Sequence, residues 1–361
     1  MNKMNDEVIT NKYVIKLLHE VIVQNILTYW DLFDCKVYIH PNSANYRNIF
    51  YFVSKKDKEY VLRISVREDI SVSNLNAEMH FIEYLKLNKL SVGYPIKSKK
   101  SSFVESIKFE NLTLNCVLFS RVKGVNIPEN NILNLKGTAF DEYVHSFGKI
   151  IGLMHRLTTQ YTPFNNFTKR YDLLKSFEDD LILKHLPDQH TAIKQKFLSL
   201  IKETKSLPKD TKCFGLIHTD IDDSNIIINN YTNSHTIIDF DDSAYCWFMY
   251  DIANAWTKGL IWAQFDRTID KRKAKMNEWI DKIMGGYNTE NVLIKYWLSK
   301  LELFLKIVEM KEFICLFQRA KENNQIVEYD SKLKYRIECI ENDIPYFGFF
   351  HEIYDPFTPF C

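Results

Sequence analysis

Three polar side chains in one short stretch carry the chemistry open to this chain. His218-Thr219-Asp220 is followed, five residues after the aspartate, by Asn225, and Asp239 closes the apolar run Thr236-Ile237-Ile238. Ile226, Ile227 and Ile228 are β-branched, as are Thr236, Ile237 and Ile238, and the polar stretch Tyr231-Thr232-Asn233-Ser234 lies between the two runs. The segment therefore reads as a β-hairpin. Period-two pairing sets Asn225 across from Asp239 or its immediate neighbour. A ribbon end that collects an amide oxygen and a carboxylate suits Mg²⁺, a hard cation that takes few protein ligands and leaves room for phosphate oxygens. Asp220, on the loop leading into the ribbon, is a carboxylate able to hold and deprotonate an attacking hydroxyl. A lone His-x-Asp or Asp-Phe-Asp would be an ordinary surface loop or capping acid; the joint spacing astride a hairpin is what makes the pattern specific.

Base and metal work divided in this way is the logic of phosphoryl transfer. His218-Thr219-Asp220-Ile221-Asp222-Asp223-Ser224-Asn225 resembles the His-Gly-Asp-Leu-x-x-x-Asn loop of the aminoglycoside phosphotransferase superfamily, which also holds choline kinase and homoserine kinase. Ile238-Asp239-Phe240-Asp241-Asp242 resembles that family's Ile-Asp-Phe-Asp-Asp strand end. Thr219 stands where the family has Gly, a residue that tolerates backbone angles Thr does not. The resemblance implies an α+β, two-lobed protein-kinase-like fold. Residues 1–121 would form a nucleotide-binding lobe, a small antiparallel sheet with one flanking helix. Residues 122–361 would form a mainly helical lobe carrying the catalytic hairpin and the acceptor-binding helices. It further implies ATP or GTP as co-substrate, Mg²⁺ held by Asn225 and Asp239, and Asp220 as the catalytic base. His218 and Asp251 would support the loop, Asp251 alternatively capping the helix it precedes, and Asp241 would be an outer or alternate ligand.

The elements that must position these groups follow from periodicity. Residues 11–27 carry Val14, Leu17, Leu18, Val21 and Ile22 at helical spacing. Strands are expected over 35–39, 48–53, 59–65 and 112–119, with a strand–turn–strand over 95–109. The polar turn at 41–47 lies where kinase-like folds cover ATP phosphates; it has no Gly, so backbone amides and Ser43 are its only candidate contacts. Arg63, in Leu62-Arg63-Ile64, stands where the resemblance puts a phosphate-gripping cation, and a guanidinium can fork onto phosphate or carboxylate. Glu78, on the following helix, is its expected partner. Ser120-Arg121-Val122-Lys123-Gly124 reads as the lobe hinge, where the backbone of Ser120 and Val122 would meet an adenine edge. Further helices are expected over 142–157, 170–185, 191–203, 294–317 and 332–341, with His155 a capping or core residue. Beyond Arg336 no Lys or Arg remains, and the acids Glu338, Glu341, Asp343, Glu352 and Asp355 alternate with aromatics. Such a tail would either line a pocket for a cationic acceptor or pack with its acids solvated.

At 361 residues and a formal charge of +1, the chain has ample core and no electrostatic case for nucleic acid or an anionic membrane. Its seven cysteines are scattered, without Cys-x-x-Cys spacing, which points to a reducing compartment and no zinc site. No secretory pattern or membrane-length apolar run is read, so the cytoplasm is expected. Only a dozen residues separate Asp239 from Asp251. That leaves little platform for a polypeptide, so a small-molecule hydroxyl is the expected acceptor. Two other readings use the same fold: an atypical Ser/Thr protein kinase, and a non-catalytic nucleotide-binding regulator.

Overall fold

The structure is a computed structural model. It describes residues 14, 15, 17, 18, 20–41, 43, 48–66, 71–109, 112–126, 135–163, 169–177, 182–229, 231, 232, 234–263, 269–322 and 325–343. Most of the expected 41–47 loop and the acidic aromatic tail from 344 onward lie outside the described residues. The chain divides into two compact units, Met1–Lys123 with Thr162–Lys169, and Gly124–Tyr161 with Arg170–Cys361.

The first unit is an antiparallel sheet with helices. Helix α1 (Glu20–Leu27) precedes β1 (Lys36–Ile39), β2 (Ile49–Lys55) and β3 (Lys58–Ser65); then come α2 (Val72–Leu87), β4 (Pro95–Ile96), β5 (Glu105–Phe109) and β6 (Leu112–Ser120). The strand order is β1-β2-β3-β6-β4, with β5 also on β6. Alternation along β3 does the sorting: Leu62 and Ile64 join the core of Val23, Ile26, Leu27 and Trp30, while Arg63 points to the opposite face. Helix α2 opens on Ser71, whose side chain accepts from Asn74 N–H, a standard N-cap.

The second unit begins with β7 (Val125–Asn126) and α3 (Thr138–Thr158), followed by α4 (Thr191–Lys205), β8 (Phe214–Ile217), β9 (Ile226–Ile228), β10 (His235–Ile237), β11 (Ala244–Trp247), α5 (Phe248–Ala263), α6 (Ile269–Tyr287), α7 (Leu301–Glu322) and α8 (Ser331–Glu341). A Cβ on Gly148 would lie 1.9 Å from Ile283 O, and one on Gly286 would lie 1.9 Å from His145 O. Glycine at both places lets α3 and α6 meet backbone to backbone, which carries Tyr287 to His155. No helix among the described residues is long and apolar enough to cross a membrane.

Two helix expectations are corrected. The helix expected over 170–185 begins later: Arg170, Tyr171 and Asp172 lie outside it, and the described helical residues are Leu173–Ser176 and Ile182–His185. Asp172 caps the first through Lys175 N–H and bridges Tyr245, so Arg170 and Tyr171 stay outside it. Residues 294–317 are broken at Ser299 and Lys300, where Lys300 N–H returns to Trp297 O and closes the short helix Lys295–Leu298 before α7 starts.

Candidate active site

The hairpin forms as β9 and β10, pairing Ile228 with His235 and Ile226 with Ile237. The ladder continues one step, Ile238 N–H donating to Asn225 O at 3.0 Å. The residue facing Asn225 is thus Ile238, the immediate neighbour of Asp239. Asp239 then turns the chain out of the ribbon at φ +62° and is exposed.

Asn225 is oriented by Asp220. Its Nδ2 donates to the Asp220 carbonyl at 2.9 Å and reaches Asp220 Oδ2 at 3.4 Å. With the amide nitrogen committed there, Oδ1 is the atom left for a ligand. No group of three or more His, Cys, Asp or Glu side chains fit for a metal occurs among the described residues. The hairpin end offers an amide oxygen and a carboxylate, a donor set that fits a hard cation keeping most of its own shell. The Asp220 carboxyl is held above the usual carboxylate range, mainly by burial; Lys311 opposes the rise, and Asp222 and Asp242 add to it.

The loop carrying Asp220 is fixed from below by Asp251 at the start of α5. This carboxylate is fully buried; Oδ1 accepts from Thr219 N–H at 2.8 Å and Oδ2 from His218 N–H at 3.0 Å. Oδ2 also meets His155 Nε2 at 3.1 Å, and His155 Nδ1 meets Tyr287 Oη at 3.0 Å. Three acceptor contacts explain how a carboxylate with no exposure is tolerated. Asp251 therefore braces the loop, and His155 is a core histidine within that brace. His218 is also buried: its Nε2 donates to Ile238 O at 2.9 Å while Nδ1 accepts from Asp220 N–H at 3.3 Å. The Nε2–H tautomer satisfies both bonds and ties the loop to the ribbon.

Thr219, standing where the resembling family has Gly, adopts φ +66°. That is a strained place for a β-branched residue. Besides its amide bond to Asp251, its Oγ1 donates to Asp242 O at 2.7 Å and its carbonyl accepts from Asn254 Nδ2 at 2.9 Å. These bonds hold the conformation that a glycine would adopt unaided.

Two important residues escape a reading of the sequence. Arg170 is buried, and its guanidinium donates to Ser243 O at 2.7 Å through Nε and to Asp241 O through Nη2. It clamps the turn that follows Asp239, while Tyr171 Oη donates to Asp242 O at 3.2 Å. Asp241 lies buried within that turn. Lys311, on α7, approaches Asp242 Oδ2 at 3.8 Å. Asp242 is thus paired with a cation. A usable signal existed for Lys311: it falls three and four residues after Val308 and Ile307, on the apolar stripe of its helix.

The other expected residues all belong to the first unit. Arg63 and Glu78 meet as a bidentate pair, Nη1–Oε1 2.8 Å and Nη2–Oε2 2.9 Å, with 2% and 0% exposure. The guanidinium also lies 5.2 Å from the Phe119 ring centre. Ser43 is corrected: it is fully buried, its Oγ donates to Phe50 O at 3.1 Å and accepts from Phe50 N–H at 3.0 Å, so its hydroxyl braces the loop instead of meeting a nucleotide. Ser120 N–H is committed to Tyr94 O at 3.0 Å, and Arg121 N–H to Glu59 O at 3.1 Å. An adenine edge would therefore be read by the Ser120 carbonyl and the Val122 backbone.

Comparison with known proteins agrees with this architecture. The chain is 28% identical over 309 residues to the amicoumacin kinase of Bacillus subtilis (strain 168), covering 85% of this chain and 88% of that protein. The structure of the amicoumacin kinase hAmiN in complex with AMP-PNP, Ca²⁺ and Ami superposes with a TM-score of 0.76 at 22% identity, covering 98% of each chain. A microcompartment-associated aminopropanol kinase gives a TM-score of 0.65 at 15% identity, covering 90% of this chain and 95% of the other. Both share the protein-kinase-like fold. The family model described as "Phosphotransferase enzyme family" matches residues 39–281, most of the first unit and the whole catalytic hairpin, and the chain therefore belongs to that family of phosphotransferases.

Proposed function

We propose that this phosphotransferase moves the γ-phosphoryl group of ATP or GTP to a hydroxyl of a small molecule, with Mg²⁺ held by Asn225 and Asp239. The observation that carries the reading is the state of the Asp220 carboxylate. Its loop is fixed by Asp251, and its one bond among the described residues is the long contact to Asn225 at 3.4 Å. Such a carboxylate is poised to accept a proton. The acceptor oxygen bonds to the γ-phosphorus, the bond to the bridging oxygen of the nucleoside diphosphate breaks, and the hydroxyl proton passes to Asp220. Mg²⁺, when bound, would supply charge neutralisation on the phosphate oxygens. Arg63, held by Glu78, would orient those oxygens, and the Ser120 carbonyl and Val122 backbone would read the base.

The route from Asp239 to Asp251 supports a small acceptor. It runs directly through β11 into α5, and Ala244, Cys246, Trp247, Phe248, Met249 and Tyr250 are all buried. A segment packed in this way presents no strand or loop on which a polypeptide could dock. Likeness to the amicoumacin kinase makes amicoumacin the first acceptor to try, with aminopropanol next. The experiment is ADP or GDP release across such a panel. Asp220→Ala should lower kcat on the order of 10²–10⁴-fold while nucleotide affinity stays near wild type. Unchanged turnover with weakened nucleotide binding would reject the role given to Asp220.

A further inference from the structure

Around Asp220 the second unit holds polar groups whose bonding capacity the described residues do not fill. Tyr250 is fully buried at the start of α5, and its hydroxyl makes no hydrogen bond among the described residues. Lys311 is 14% exposed at the side chain; its one polar contact there is the ion pair to Asp242 at 3.8 Å, too long for a hydrogen bond. Geometry ties both to the catalytic loop. Tyr250 directly precedes Asp251, which holds the amides of His218 and Thr219. Asp242, the partner of Lys311, accepts from Thr219 Oγ1 through its carbonyl at 2.7 Å. The Lys311 charge acts on both Asp220 and Tyr250.

Burying a hydroxyl and an ammonium with so few partners costs stability, and such debts persist where a ligand settles them. The character of the ligand follows from the charges. Lys311 beside Asp242 is a neutral pair, so its cation is already answered by an anion. A phosphoryl group brought to it would meet the Asp242 carboxylate as well. A neutral group that both donates and accepts hydrogen bonds fits better, accepting from Lys311 or Tyr250 and donating to Asp242. We infer that Lys311, Tyr250 and Asp242 form an acceptor-reading subsite, which selects substrates whose reacting hydroxyl is flanked by a carboxamide. The inference rests on the kinase reading and deepens it.

The test compares serinamide and lactamide with 1-propanol, whose flank is apolar, by acceptor-dependent ADP release from the full-length enzyme. Wild type should favour the first two over 1-propanol by on the order of 10²-fold in kcat/KM. Lys311→Met should raise KM for the favoured acceptors about tenfold, and Tyr250→Phe a few-fold, each moving KM more than kcat. Tyr250→Phe removes one oxygen from an aromatic that otherwise stays packed, so it reads the subsite even if Lys311→Met folds poorly. A kcat loss with unchanged acceptor KM would place Lys311 on the phosphoryl group and overturn the inference. Equal use of 1-propanol and serinamide by wild type would overturn it while leaving the kinase reading intact. Absence of acceptor-dependent release from a protein that still binds an ATP analogue would sink both.

Discussion

Replacing Asp251 by Asn tests how the catalytic loop is held. The carboxylate takes Thr219 N–H on Oδ1 at 2.8 Å, and His218 N–H with His155 Nε2 on Oδ2 at 3.0 and 3.1 Å. A carboxamide keeps the shape but has one oxygen. Turned one way, its NH₂ faces the Thr219 amide; turned the other, it faces the His218 amide and the imidazole. In either case a buried backbone donor loses its acceptor, and the bonds that survive lose their charge. Hydrogen bonds to charged groups contribute about 1.5–3 kcal/mol, and a buried donor left unmade costs a further 1–3 or so, giving roughly 2.5–6 kcal/mol in total. Because the damage falls on the two residues before Asp220, it should also displace the proposed base, and a shift near 1 Å costs on the order of 10²-fold in rate. The assay pairs urea unfolding with steady-state kinetics and nucleotide affinity. We expect a destabilised enzyme with kcat down about a hundredfold and nucleotide binding little changed. An Asp251→Asn protein within about 0.5 kcal/mol of wild type, and equally active, would refute the bracing argument.

Other outcomes follow from the same geometry. Asp220 must be ionised to take a proton, and burial raises its folded-state pKa. The acid limb of kcat/KM should therefore lie above pH ~4, the ordinary carboxylate position, and the folded state should lose stability relative to the unfolded chain as pH rises through that limb. A limb at or below the ordinary position would contradict the burial argument. Arg170→Lys keeps the charge but cannot reach Ser243 O and Asp241 O with one planar fork; a loss of about 2 kcal/mol in stability, with more Mg²⁺ needed for half-maximal rate, is expected. A metal titration matching wild type would separate Arg170 from the turn after Asp239. At Thr219, φ +66° costs about 1–3 kcal/mol while the bond to Asp242 O gives back about 1. Thr219→Gly should thus be near neutral in thermal unfolding and Thr219→Val clearly destabilising; a Thr219→Val protein that melts with wild type would show that the hydroxyl bond contributes nothing.

The placement of the candidate groups was legible from the chain alone because they lie within one local device. Asp220, Asn225 and Asp239 are joined by a loop and a two-stranded ribbon, and the side-chain period of two brings Asn225 to the strand end beside Asp239 whichever close register the turn selects. The pairing of Arg63 with Glu78 was also within reach, since a strand and the next helix carry it. Tertiary structure decided the rest. Arg170 reaches residues 71 and 73 positions away, His155 meets Asp251 at a separation of 96 and Tyr287 at 132, and no local spacing records such contacts. Ser43 looked available in a polar turn until the fold buried its hydroxyl against Phe50. Asp242 gains its cationic neighbour only because α7 brings Lys311 beside it. Periodicity tells which face of an element is apolar; which charges and hydroxyls that face then encounters depends on elements far along the chain, and only their packing sets it.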